Sequence, residues 1–257
     1  VKVSIITVVY NGASTLRDCI DSVLRQSYQD IEYLVIDGGS TDGTVELVRS
    51  YGSRITRFVS EPDQGLYDAM NKGLRLATGD LIGILNADDF YRHDQVIERV
   101  AALADQENSE AIYGDLVYVD ANDTRKITRY WSSGKYRKGA FRWGWMPPHP
   151  TFFVRRSVYL RFGLFQTRFR SAADYELMLR FVHRHGIKVS YLKEVLVVMR
   201  AGGVSNRTVG NRLNANREDQ EAWELNGIKP YFFTHWLKPM RKIFQFFPGL
   251  MGARLEN

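Results

Sequence analysis

The 257 residues include 35 Lys and Arg against 29 Asp and Glu, a net charge of +6, and 44% of them are hydrophobic. This is the make-up of a globular chain with a sizeable core, and its positive balance suits anionic partners: nucleotides, phospholipid or nucleic acid. The single cysteine, Cys19, excludes an internal disulfide framework, and no apolar run approaches the ~20 residues that span a bilayer.

The chain opens on a β-rich run, Val3–Val9, without the charged start, apolar core and small-residue site of a secretory signal. A reducing, cytoplasmic setting is therefore expected, with Cys19 in the core. After Asn11-Gly12 and a cap at Ser14 or Thr15, Leu16, Cys19, Ile20, Val23 and Leu24 share one helical face. Residues 31–36 predict a second strand, ended by Asp37-Gly38-Gly39-Ser40-Thr41-Asp42-Gly43, and Val45, Leu47, Val48 and Tyr51 a short helix. A third strand is expected over 55–59, a helix over 67–77 with Met70, Leu74 and Ala77 inward, and a buried strand over 81–85. The βαβαβαβ rhythm implies an α/β fold: a doubly wound, mainly parallel sheet with helices on both faces and ligands beyond the strands' carboxyl ends.

The last of these strands runs into Asn86-Ala87-Asp88-Asp89. Adjacent carboxylates at a buried strand end repel and lose hydration, costs that a hard divalent cation offsets. The alternative is a solvated turn. Beyond residue 105 the pattern changes. Segments 112–119 and 124–130 read as a hairpin, 131–145 as a mobile loop over a site, 151–154 and 195–199 as strands, and 175–183 as a helix. One domain with a small antiparallel extension is expected: a nucleotide-binding half over 1–105, an acceptor half over 106–228, and a tail over 229–257. In that basic, aromatic tail Met240, Ile243, Phe244 and Phe247 share a helical face, with Trp236 and Lys238 nearby. Such a face either lies at a membrane interface or packs on protein.

Three strand ends carry Thr7-Val8-Val9-Tyr10-Asn11, Asp37 to Asp42, and Asn86 to Asp89, and a helix opens in Glu61-Pro62-Asp63-Gln64-Gly65-Leu66-Tyr67-Asp68-Ala69-Met70-Asn71-Lys72-Gly73. In their order and spacing these motifs resemble the family 2 glycosyltransferases, which have the GT-A fold. The likeness covers about residues 1–205 and is greatest to the bacterial branch that builds O-antigen, capsule and exopolysaccharide. The resemblance implies that Thr7, Tyr10, Asn11 and Asp37 line a nucleoside pocket, with Asp68, Asn71, Lys72, Asn86, Ala87 and Arg200 as further donor contacts. Asp37 and the residues after it also read as a turn and helix cap. Asp88 and Asp89 match the family's metal motif, implying Mn²⁺ or Mg²⁺, with Asp88 the direct ligand. Asp174 takes the position of the catalytic base and His149 an acceptor-side position. Glu176 is the fallback base. Three departures stand out: Gly38, Asn86 and Ala173 each occupy a place where the family often has an acid.

These features imply an inverting, non-processive, metal-dependent transfer of a sugar from a nucleotide diphosphate, with a uridine diphosphate sugar the default, to a glycan or lipid-linked acceptor. The alternative is a non-catalytic nucleotide-sugar-binding scaffold. Nucleic acid is not an expected partner, because the core domain has no recognition motif or concentrated basic stripe.

Overall fold

Aliphatic, β-branched runs form the centre of the molecule. The computed structural model describes residues 1–202, 209–234 and 237, and only the helical backbone over 209–216. Strands β1 (Val3–Val9), β2 (Ile31–Asp37), β3 (Arg57–Ser60) and β4 (Leu81–Asn86) are parallel, in the order β3-β2-β1-β4. Every residue of β1 is buried, because helices cover both faces of the sheet. On one face Val3 and Ile5 meet Leu16, Cys19 and Ile20 of α1 (Leu16–Leu24) and Val100 of α4 (Val96–Gln106). On the other, Ile6 and Val8 meet Met70 and Leu74 of α3 (Leu66–Leu76). Here Gly73 sets the spacing, since a Cβ on it would lie 2.4 Å from Cγ2 of Ile6. Helix α2 (Thr44–Ser50) adds Val48 to the first face.

Past β4 the sheet becomes mixed. Strand β8 (Phe153–Arg155) is antiparallel to both β4 and β6 (Ala111–Val119), so β6 regains the direction of β1. Strand β9 (Val189–Arg200) runs parallel to β6, while β5 (Asp89–Tyr91) and β7 (Ile127–Trp131) are antiparallel additions on β9 and β6. The ends of β1, β2, β4, β6 and β9 therefore share one edge. One sheet spans both halves expected from the sequence.

Several boundaries differ from the sequence expectation. The third strand begins at Arg57, because Gly52–Arg54 form a 3₁₀ turn that tucks Ile55 into the core. The expected 195–199 strand is longer, and the segment at 151 is a 3₁₀ turn, His149–Thr151, before β8. The helix near 175 starts at Ala173 as α6 (Ala173–Met178) and continues as a π-helical turn, Leu179–Arg184. Strand β5 and helices α4, α5 (Arg156–Phe162) and α7 (Val209–Leu225) add to the expected elements. The 131–145 segment, expected as a mobile loop, is anchored. Phe141 and Trp145 are buried, Trp145 Nε1 donates to the Ser133 carbonyl at 2.7 Å, and Ser133 Oγ donates to the Gly114 carbonyl. Trp236, Lys238, Met240, Ile243, Phe244 and Phe247 of the tail lie outside the described residues.

Candidate active site

At the shared edge, the loops after β1 and β2 are stitched into one rim. The Asn11 amide donates to Ser40 Oγ at 2.7 Å, and the Thr41 amide returns a bond to Asn11 Oδ1 at 2.9 Å. Asn11 adopts φ +50°, a left-handed conformation that Asn tolerates better than most residues. Tyr10 beside it is 68% exposed and offers an open ring face. Asp37, fully buried, accepts from the amides of Gly39 and Ser40 and from the hydroxyls of Ser40 and Ser60. Three of these bonds converge on Oδ2 and one on Oδ1, so Asp37 is fixed in place and shapes the rim.

Thr7 corrects the sequence expectation. It is buried within β1, with Oγ1 3.1 Å from Tyr33 OH and 3.5 Å from Cys19 Sγ, because strand alternation turns it under α1. Cys19 is inert there, its thiol pushed up to about 12, mainly by burial.

Asp63, not anticipated as a site residue, fills the gap left at Gly38. A Cβ on Gly38 would sit 2.4 Å from Asp63 Oδ2, and Asp63 Oδ1 accepts from the Gly65 amide at 2.8 Å. A carboxylate from a neighbouring loop thus stands where a residue-38 acid would project. Only the absent side chain at 38 hinted at it.

Two further expected donor contacts are engaged elsewhere. Asn71 is buried and exchanges two bonds with the Phe165 backbone, at 2.9 and 3.0 Å. Lys72 donates to the Pro62 carbonyl and pairs with Glu61 at 3.1 Å. Both face the protein because each lies one helical turn into α3, where an adjacent loop supplies the partner. Asp68 accepts from the Gln64 amide at 3.1 Å, closing the first turn of α3.

The adjacent acids separate into two roles. Asp88 is half-buried and its carboxylate takes no hydrogen bond among the described residues. Asp89 begins β5 opposite Met199 and is fully buried, so of the two acids it is the one turned into the protein. Burial pushes its carboxyl well above the usual range and the Asp88 charge adds to this, while Asn86 and Arg200 pull it down. Asn86 Nδ2 donates to Asp89 Oδ2 at 3.2 Å, leaving Asn86 Oδ1 and Asp89 Oδ1 as buried oxygens without partners. Arg200 closes the turn by donating to the Asp88 carbonyl at 2.9 Å, pairing with Asp18 and stacking on Phe90. Ala87 packs near Gly12 of the first loop. No group of three or more His, Cys, Asp or Glu among the described residues could cage a metal. One accessible carboxylate with amide oxygen nearby instead fits a hard cation held jointly with a diphosphate.

Across the edge, Asp174 in the first turn of α6 accepts from Tyr67 OH at 3.3 Å. Tyr67 stacks on Phe165 with centroids 5.6 Å apart, and His149 meets the edge of Phe165 at 5.6 Å. Burial lowers the His149 pKa, and the Asp174 charge opposes this less strongly, so the ring is neutral at pH 7. Asn71, through Phe165, therefore supports Tyr67, His149 and Asp174 together. From the other side Glu218 of α7 accepts from the amides of Arg170 and Ser171, at 3.0 and 2.8 Å, and Trp223 Nε1 donates to Tyr175 OH at 2.9 Å. Tyr118, near the end of β6, lies within electrostatic reach of both Asp89 and Asp174, and the Arg129 guanidinium covers its ring at 4.5 Å. Glu176, the fallback base, is buried in an ion pair with Arg180, at 2.9 Å, and accepts from Asn226.

Acidic loops at the carboxyl edge of a parallel sheet, with a further carboxylate opposite them, place the candidate site of this α/β protein where ligands of such sheets bind. The chain belongs to glycosyl transferase family 2, whose model matches residues 4–169. A Mycobacterium bovis PGL/p-HBAD biosynthesis glycosyltransferase is 31% identical over 222 residues, 80% of each chain. A glycosyltransferase of Rickettsia typhi is 29% identical over 86% of this chain and 70% of its own. Among solved structures, S. aureus TarS 1-349 in complex with UDP-GlcNAc superposes with a TM-score of 0.67 at 17% identity, over 88% of this chain and 65% of that one. In a longer TarS structure the match spans 39% of the TarS chain. The mannosyltransferase PcManGT from Pyrobaculum calidifontis, in complex with GDP-Man and Mn²⁺, gives 0.64 at 18% identity, over 98% and 76%. At these identities the structural likeness is one of fold, GT-A in type.

Proposed function

We propose that this glycosyltransferase moves a sugar from a nucleotide diphosphate, a uridine diphosphate sugar by default, to a hydroxyl of a glycan or lipid-linked acceptor in surface polysaccharide assembly, inverting the anomeric centre in one non-processive step. The observation that carries this is Asp174, a carboxylate held by Tyr67 across the edge from Asp88. Asp174 takes the proton of the acceptor hydroxyl as its oxygen bonds the anomeric carbon. The bond from that carbon to the diphosphate breaks on the opposite side and the nucleoside diphosphate leaves with its electrons. Tyr10, Asn11, Asp63 and the Asp37 rim receive the nucleoside. Asp88 would hold Mn²⁺ or Mg²⁺, which supplies positive charge against the leaving diphosphate. His149, neutral, lines the acceptor side. Peripheral contact of 229–257 with the inner face of a membrane fits a lipid-linked acceptor. Among the described residues no helix is long and apolar enough to cross a bilayer.

The related chains named for glycosyltransfer support the reaction class, and the UDP-GlcNAc and GDP-Man bound by fold relatives support the donor class. A thermal-shift screen of UDP, GDP and their sugars, with Mn²⁺, Mg²⁺ or chelator, tests the proposal. A ligand at a hundred times its Kd contributes about 2.7 kcal/mol, a rise of about 5 °C for a chain of this size. The Asp88→Asn variant should lose the metal-dependent part. No metal-dependent stabilisation by any nucleotide would overturn the metal claim. Nucleotide binding without donor turnover across a broad acceptor panel would return the scaffold alternative.

A further inference from the structure

Two stretches of the chain, 131–150 and 229–247, contain Lys and Arg but no Asp or Glu. The structure joins the described parts of both into one surface. Thr234 Oγ1 donates to the Arg142 carbonyl at 2.8 Å, and the Arg142 guanidinium lies 5.4 Å from the Tyr231 ring centroid. Trp143 meets Tyr231 and Phe233 with centroids 6.1 and 5.2 Å apart, and Phe232 meets Phe233 at 5.1 Å. Phe232 is 91% exposed, Trp143 56% and Tyr231 44%. Large apolar side chains held together in water mark a contact surface rather than a scatter of single exposed residues.

Trp143 is presented on a firm base. Gly139 and Gly144, with φ of +87° and +74°, bracket the turn Ala140–Trp143. Phe141 within that turn and Trp145 just after it are buried in the core, so Trp143 between them is turned outward. Lys135, Arg137 and Lys138 before the turn, and Lys229 beside the aromatic run, are all exposed.

We propose that this patch is the protein's footprint on an anionic lipid surface, with Trp143, Tyr231 and Phe232 entering the headgroup layer and Lys135, Arg137, Lys138 and Lys229 meeting its negative charge. Trp and Tyr suit that boundary, because each has an apolar body and a polar atom that stays hydrated. Each basic residue near such a surface strengthens binding about fivefold. The absence of acids from both stretches is the complement an anionic membrane requires. The patch deepens the proposed use of a lipid-linked acceptor and rests on that reading for its purpose. Through Trp145 and Tyr113 the same segment packs on β6, the strand that leads to Tyr118 at the site, so the footprint adjoins the acceptor half.

The test is co-sedimentation of the full chain with vesicles of phosphatidylglycerol and phosphatidylcholine, or of phosphatidylcholine alone. The expected result is binding to the anionic vesicles that weakens with added salt. Trp143→Ala/Phe232→Ala should bind them at least tenfold less, and Lys135→Glu/Lys138→Glu should lose most of the preference for anionic lipid. Both variants should keep the parent melting temperature and the parent response to nucleotides. Vesicle binding is read without donor or acceptor, so it can fail while the transferase reading holds, and the reverse. The proposal is overturned if the parent ignores anionic vesicles. It is also overturned if the aromatic variant binds like the parent, which would leave residues 238–257 as the contact, or if the variant only converts a dimer to a monomer.

Discussion

Glu176 and Asp174 lie two residues apart, and replacing each with its amide should give opposite results. Glu176→Gln removes the charge from a pair in which Glu176 and Arg180 are 1% and 8% exposed at the side chain. Leaving one buried partner uncompensated costs about 3–5 kcal/mol. The lower figure applies, because Gln still accepts a bond and Arg180 keeps the carbonyls of Phe162 and Leu164. At about 2.1 cal/mol/K per residue, 257 residues give an unfolding entropy near 0.5 kcal/mol/K, so a loss of about 3 kcal/mol lowers Tm by about 6 °C. Well below that transition, transfer should fall no more than a few-fold. Asp174→Asn should leave Tm within about 2 °C, because its only bond from a described side chain is the 3.3 Å contact with Tyr67, and should reduce transfer by at least about 10²-fold. Calorimetry and turnover of the donor identified by the nucleotide screen measure both. If Glu176→Gln kept the parent Tm and lost transfer, the structural role of Glu176 and the assignment of Asp174 as base would both be refuted.

Other outcomes follow from single contacts. Gly38→Ala should push Asp63 aside and weaken nucleoside diphosphate binding about tenfold, near 1.4 kcal/mol, with little change in Tm; unchanged affinity by titration calorimetry would remove Asp63 from the nucleoside rim. Burial raises the Glu32 pKa, but bonds from Ser4, Thr78 and Lys2 outweigh it and hold the carboxyl at about 2, against an ordinary 4.5. Glu32 therefore contributes about 3 kcal/mol above pH 4.5 that is lost as pH falls toward 2. Glu32→Gln should flatten the acid limb of the stability profile in urea denaturation; an unchanged acid limb would show that these bonds do not govern the carboxyl.

The legible parts of the chain were those whose pattern is local. Strand β1 matches its expected limits, and β2 and β4 fall within a residue of theirs, because continuous aliphatic runs between polar turns leave a buried strand little freedom. Strand β5 was hidden because its three residues gain order only by pairing with β9, more than a hundred residues on. Helix α7 was hidden for a related reason: its sequence has little apolar periodicity, and its docking rests on Trp223 meeting Tyr175 of α6 and Glu218 meeting Arg170 and Ser171 just before that helix.

The order of motifs was enough to identify the family and the sheet edge, because chemistry written at strand ends needs only the strands to be found. Burial and partnership were decided by tertiary structure. Thr7, Asn71 and Asp89 have the polar side chains of pocket residues, yet the packed chain turns them inward, Asn71 onto the Phe165 backbone and Asp89 onto Asn86. Asp63 reaches the rim formed by the loops after β1 and β2 because Gly38, on a different strand end, makes room for it. A sequence gives the type of a side chain and its local spacing. Which neighbour meets it depends on segments far apart in the chain, and only folding brings those together.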